Sequence, residues 1–178
     1  MKILVLDGSV KSSSVPLISM HLSQDCEVVS KTIINEDLSV MRQKYDSWEN
    51  IPDSELFTPM SDIIDYSKDL IDHNEPDILL GINFGCAVIN SLILEGTWRG
   101  PAIMVDPDGA FFLREREEYQ SENCVWFLRK NDKAFVRNNL SKLQLFKRGT
   151  VVYVNEEKTL ESLHTISMIK NIAESLCS

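Results

Sequence analysis

Glycine and proline are scarce in this sequence, with 7 glycines and 6 prolines among 178 residues. That is too few for a disordered or fibrous chain, because such chains are rich in these residues. Hydrophobic residues make up 43% of the sequence and charged residues 25%, as in an ordinary globular protein. We therefore expect a single domain over residues 1–178, long enough to bury a sizeable core.

Basic residues are fewer than acidic ones, and long apolar runs are absent from the sequence. The sequence has 18 Lys and Arg against 27 Asp and Glu, a formal net charge of -9, and no basic run exceeds two residues. A nucleic-acid surface needs clustered Lys and Arg, so we expect no nucleic-acid partner. The first apolar run, Ile3–Leu6, is too short for a signal-peptide core or a membrane span. The sequence therefore predicts a cytoplasmic protein with no membrane partner.

The few cysteines are widely separated along the chain. Cys26, Cys86, Cys124 and Cys177 form no C-x-x-C pair. This spacing excludes the common zinc-finger patterns and a dense disulfide framework. We expect reduced, mostly buried thiols and no metal site.

Short runs rich in Val and Ile alternate with segments of helical spacing. The predicted strands are Ile3–Leu6, Val28–Val29, Ile78–Leu80, Ala102–Val105, Val125–Leu128 and Val151–Val154. The predicted helices are Val15–Leu22, Met60–Ile71, Cys86–Leu94, Lys133–Leu143 and Leu160–Leu176. Nearly continuous apolar strands that alternate with helices indicate a parallel sheet covered on both faces, so the expected fold class is α/β. Two polar segments, Thr32–Thr58 and Pro107–Glu122, do not fit the alternation and are predicted to be surface excursions near strand ends.

The segment Gly81-Ile82-Asn83-Phe84-Gly85 lies between a predicted strand and a predicted helix. It has the layout of a nucleophile elbow, G-x-S-x-G, with asparagine in the place of serine. Glycines suit this turn because a Cβ on either flank would collide with the adjoining strand or helix. An ordinary strand-to-helix turn with two glycines is the alternative interpretation.

Two later residues follow the elbow in the order acid, then histidine. Asp132 lies just past the fifth predicted strand, and His164 lies after the last one. In a hydrolase the carboxylate fixes the imidazole tautomer, so that the other ring nitrogen can move a proton. Asp132 is equally well placed to cap the helix that follows it, and His164 to be a solvated residue of a first helical turn.

The combined pattern resembles the small cap-less α/β-hydrolase-like proteins of the YqiA/YcfP type, a group that includes esterases. The matching segments are Gly81–Gly85, Ala102–Pro107, Phe127–Asp132 and Val151–Glu157 followed by His164. The resemblance implies a three-layer fold with minimal or no cap and six strands in the order 2-1-3-4-5-6. It also implies a catalytic set at Asn83, Asp132 and His164, and a loop at Gly8-Ser9 that faces the elbow. Backbone N–H groups near Ser9 and at Phe84 would then form an oxyanion hole.

The sequence departs from the family at Asn83, the position of the nucleophile. Esterases of the family have serine at the elbow, and the amide of Asn83 is not a useful nucleophile, so the acyl-enzyme route through this position is closed. One hypothesis is a hydrolase-like enzyme that keeps Asp132 and His164 as a proton-transfer pair and orients substrate or water through Asn83. The second is a non-catalytic relative that uses the same pocket to bind a small molecule or a protein partner.

A third hypothesis comes from the opening of the chain. Gly8-Ser9 and the hydroxyls of Ser12-Ser13-Ser14 resemble the phosphate loop of flavodoxin-like FMN-binding proteins. For the two hydrolase-like hypotheses we expect a small-molecule ligand and no cofactor.

Overall fold

Six parallel strands form one sheet in the computed structural model of the chain, which describes residues 1–9, 15–46, 48–107, 123–129, 150–154 and 162–178. The strands are β1 (Lys2–Gly8), β2 (Glu27–Thr32), β3 (Ile78–Asn83), β4 (Ala102–Val105), β5 (Cys124–Arg129) and β6 (Thr150–Val154). Their order across the sheet is β2-β1-β3-β4-β5-β6, with every neighbouring pair parallel. The predicted strands and their predicted order are confirmed.

Helices cover both faces of this sheet. They are α1 (Val15–Leu22), α2 (Glu36–Tyr45), α3 (Asp53–Asn74), α4 (Phe84–Leu94) and α5 (Leu163–Leu176). Alternate residues of β1 point to opposite faces. Leu4 and Leu6 join a core cluster with α3 and α4, whereas Ile3 and Val5 join a second cluster with α1 and α5. The three-layer α/β architecture expected from the sequence is therefore present.

The helix bounds differ from the predicted ones mainly at polar ends. α1 begins and ends where the sequence predicts, and α4 begins two residues earlier than predicted, directly after Asn83. α3 extends beyond the predicted Met60–Ile71 in both directions, because its first and last turns carry few buried residues. The predicted helix Lys133–Leu143 lies outside the described residues.

The prediction that Thr32–Thr58 is a surface excursion is wrong. The segment contains α2, which Asn35 caps by accepting a hydrogen bond from the N–H of Leu38 at 2.9 Å. A turn of 3-10 helix at Trp48–Asn50 follows, and the Trp48 side chain is 1% exposed. The segment packs on the sheet although its sequence is mostly polar, because a few widely spaced apolar side chains bury themselves. Most of the second predicted excursion, residues 108–122, lies outside the described residues.

Across the described ranges, no helix combines the length and the apolar composition needed to cross a bilayer.

Candidate functional site

Asn83 occupies the turn between β3 and α4 with φ of 51° and ψ of -119°. A positive φ is unfavourable for a residue with a side chain and is found where the surrounding structure imposes it. The flanking glycines show that constraint. A Cβ on Gly81 would lie 2.9 Å from the backbone nitrogen of Cys86, and a Cβ on Gly85 would lie 1.9 Å from the carbonyl oxygen of Leu6. The turn therefore requires glycine at both positions.

The end of β1 packs directly against this turn. Gly8 is the register partner of Asn83, and a Cβ on Gly8 would lie 2.3 Å from the backbone nitrogen of Gly85. This close approach brings Ser9 beside the side chain of Asn83. The predicted meeting of the Gly8-Ser9 loop with the elbow is thus seen in the described structure.

A chain of hydrogen bonds links Asn83 to a buried carboxylate. The Nδ2 of Asn83 donates to the Oγ of Ser9 at 2.8 Å. The Oγ of Ser9 donates to the Oδ1 of Asp7 at 2.6 Å, and the backbone N–H of Ser9 donates to the same oxygen at 3.0 Å. Asp7 is 1% exposed, whereas Ser9 and Asn83 are partly exposed.

Asp7 was not among the predicted site residues. The sequence feature that could have indicated it is a charged residue directly after the apolar run Ile3–Leu6. The fold places this run in an interior strand of the sheet. A carboxylate is rarely buried unless it is paired or hydrogen-bonded. Its burial next to the elbow therefore marks it as part of the site.

The two predicted oxyanion donors differ in their surroundings. Phe84 is the first residue of α4, where a backbone N–H has no acceptor within the helix. The N–H of Ser9 already donates to Asp7 and would have to leave that bond to reach a ligand. The oxyanion hole stays a prediction.

The thiol of Cys86 lies behind the turn. Its Sγ is 3.3 Å from the carbonyl oxygen of Gly81 and 3.4 Å from that of Val105, and the residue is buried. These contacts connect α4 to β3 and β4.

His164 is the second residue of α5, and its side chain is exposed. Lys170, farther along the same helix, pairs with Asp25 next to the start of β2. The later part of α5 therefore lies near the end of the sheet at which the strands begin, and its first turn is directed toward the end at which they terminate, as β3 does at Asn83. Within the described part of the chain, His164 makes no hydrogen bond with Asn83.

The remaining predicted residues lie outside the described part of the chain. Asp132 lies outside the described residues, so its pairing with His164 stays a prediction. Ser12–Ser14, on which the FMN hypothesis depends, also lie outside them. No group of three or more His, Cys, Asp or Glu side chains is arranged to hold a metal ion among the residues that the structure covers.

The comparisons with known proteins find likeness in structure without likeness in sequence. No family model matches the chain, and no curated protein matches it. A Bacillus cereus carboxylesterase has a TM-score of 0.65 at 11% identity, over 98% of this chain and 87% of that one. A dienelactone hydrolase from Anabaena variabilis has a TM-score of 0.65 at 10% identity, over 98% of this chain and 84% of that one.

A third similar structure is a protein from Xanthomonas campestris described as a hydrolase of the α/β superfamily. It has a TM-score of 0.64 at 9% identity and covers 98% of this chain and 96% of that one. The similarity spans nearly the whole chain in each of the three cases. This chain therefore has the α/β-hydrolase fold.

Proposed function

We propose that this protein is a relative of the small esterases that binds or acts on a small molecule in front of Asn83, without forming an acyl-enzyme at that residue. In this proposal Asn83 orients the ligand, or an attacking water, by hydrogen bonds. Asp132 and His164 are the proton-transfer pair.

The observation that carries the proposal is the backbone conformation of Asn83. With φ of 51°, the residue is held in a strained turn that three close-packed glycines, Gly8, Gly81 and Gly85, make possible. Such strain is kept where it serves a site, because it costs on the order of 1–3 kcal/mol. The turn therefore supports a functional role for the side chain that it presents.

The chemistry of that side chain defines the role. An amide is not a nucleophile under ordinary conditions, but it is both a donor and an acceptor of hydrogen bonds. It suits recognition and orientation. His164 lies in the first turn of α5, the part of the helix that we place toward the ends of the strands, and this supports a proton-transfer role.

The experiment is labelling with a fluorophosphonate probe. We expect the native protein to stay unlabelled and its activity on simple acyl esters to match the uncatalysed background. Asn83→Ser restores a hydroxyl at the turn, and labelling or slow esterase activity should appear. An oxyanion donor is worth roughly 3 kcal/mol of transition-state stabilisation, which is enough to detect. Asn83→Ala is the matched control and should stay unlabelled.

Two results would count against the proposal. Labelling of the native protein at Ser9 would show that the protein has a nucleophile and that it is Ser9. A folded Asn83→Ser variant that is never labelled would count against the enzymatic part of the proposal and favour a role in binding alone. His164→Ala then distinguishes catalysis from binding. If the protein is an enzyme, the variant should lose its turnover; if the protein only binds a ligand, the variant should bind that ligand more weakly.

A further inference from the structure

Asp7 is a buried carboxylate that the proposed function does not use. It is the penultimate residue of β1 and follows Ile3–Leu6, which are fully buried. Its Oδ1 accepts two hydrogen bonds from Ser9, whereas its Oδ2 has no hydrogen-bond partner among the described residues. Burying a carboxylate with an unsatisfied oxygen is costly, so a role is expected for it.

The protons along the chain of hydrogen bonds determine which way the Asn83 amide faces. The Ser9 hydroxyl has one proton, and it donates that proton to Asp7. Toward Asn83 it can therefore only accept. The atom of Asn83 that lies 2.8 Å from it must be the amide nitrogen, so the amide oxygen faces away from Ser9.

The amide of Asn83 keeps part of its hydrogen-bonding capacity for a ligand. Its Oδ1 makes no hydrogen bond to any residue that the structure describes, and one of its two N–H groups remains after the bond to Ser9. The side chain is partly exposed. It therefore presents one acceptor and one donor on the same planar group.

We propose that Asp7 and Ser9 are positioning residues that hold the Asn83 amide in this orientation, and that the site takes a neutral carboxamide group in preference to a carboxylate. The inference rests on the proposed function, since it names the ligand class of the same site. A carboxamide carries an N–H donor and a carbonyl acceptor side by side, matching what Asn83 presents. A carboxylate offers acceptors alone, and the Asp7 charge lies two hydrogen bonds away.

The positioning role is tested without any ligand, by NMR of the ¹⁵N-labelled full chain. The Asn83 side-chain amide signal is assigned by its loss in Asn83→Ala. We expect one of its protons to exchange slowly with solvent in the native protein. Ser9→Ala should shift this signal and speed the exchange. The control Ser23→Ala removes an exposed hydroxyl that bonds to the Met20 carbonyl and should change neither.

Variants of Asp7 separate its geometry from its charge. In Asp7→Asn the new Oδ1 can accept both bonds from Ser9, so the slow exchange at Asn83 should persist. In Asp7→Ala the acceptor is gone, and the exchange should become fast. An unchanged Asn83 signal in both Ser9→Ala and Asp7→Ala would overturn the positioning role.

The ligand class is tested with benzamide and benzoate as probes, by their perturbation of the Asn83 signal. We expect benzamide to bind the native protein more tightly than benzoate. The Asp7→Asn variant should reduce that preference by a factor on the order of ten, because it removes a nearby negative charge. Equal binding of the two probes to the native protein would overturn the preference. Perturbation by neither probe, with the amide still protected, would count against the small-molecule site of the proposed function while leaving the positioning role supported.

Discussion

The indole ring of Trp48 lies against the phenyl ring of Phe84, with the ring centroids 4.3 Å apart and the planes inclined by 32°. Both side chains are buried, and Phe84 directly follows Asn83 in the chain. The connection between α2 and α3 therefore packs against the residue next to the strained turn. The position of the candidate site depends on a segment far from it in sequence.

Trp48→Ala should lower the free energy of unfolding by about 3–5 kcal/mol, because it removes a large buried ring and leaves a cavity beside Phe84. Urea unfolding measures the change. Tyr66→Ala is the control, since that side chain is 45% exposed and its loss should cost within about 0.5 kcal/mol. Equal effects of the two substitutions would show that the ring contact contributes no stability.

Gly85→Ala should destabilise the fold by about 3 kcal/mol or more, since the new Cβ would lie 1.9 Å from the backbone oxygen of Leu6. A backbone atom cannot move aside as a flexible side chain can. Gly96→Ala is the control, because its Cβ would meet open space, with the Arg99 side chain 3.9 Å away. That change should cost about 1–2 kcal/mol, from its φ of 75°. A Gly85→Ala protein as stable as Gly96→Ala would contradict the tight packing at the turn.

Glu55 on α3 should contribute to the acid sensitivity of the fold. It accepts hydrogen bonds from the Tyr45 hydroxyl at 2.6 Å and from the Lys44 ammonium at 3.2 Å. The bond from Tyr45, and then that from Lys44, lower the pKa of Glu55 below its usual value. A lowered pKa stabilises the fold above the unfolded-state value of about 4.3, and this stabilisation is lost as the pH falls through the folded-state value.

Glu55→Gln should therefore flatten the fall in unfolding free energy below about pH 4.3. Denaturant unfolding at a series of pH values measures this slope. Asp69→Asn, which replaces an exposed carboxylate on the same helix, is the control. An identical acid-side slope in Glu55→Gln and the native protein would contradict the prediction.

The thiols should react slowly in the folded protein. Desolvation is the main cause that raises the pKa of Cys26 and of Cys177, and nearby carboxylates raise both further. Because the thiolate is the reactive form, we expect slow reaction of these two thiols with Ellman's reagent near neutral pH, faster as the pH rises. Cys86 and Cys124 are buried and should react after unfolding. Cys177→Ser should remove one native equivalent, and four rapid equivalents would contradict this assignment.

The parts of the structure that the sequence predicts are those that depend on neighbouring residues. Each strand is a compact apolar run, and the two glycines around Asn83 meet obstacles within their own strand, turn and helix or in the adjacent strand. α2 has a single fully buried residue, Leu38, so it carries no helical pattern of apolar residues to recognise. Asp7 could not be assigned to the site, because its role depends on contacts with Ser9 and, through it, with Asn83, which lies in another strand.

The order of the strands also has a consequence for folding. β1 lies between β2 and β3, and the hydrogen bond between Asn83 and Ser9 joins residues 74 positions apart. Pairing of β1 with β2 closes a short loop, whereas pairing of β1 with β3 closes a much longer one and is entropically slower. We expect the hydrogen bond between Ser9 and Asn83 to form after the β1-α1-β2 unit has folded. A partly folded chain that holds this unit alone would have secondary structure at its beginning and no formed site.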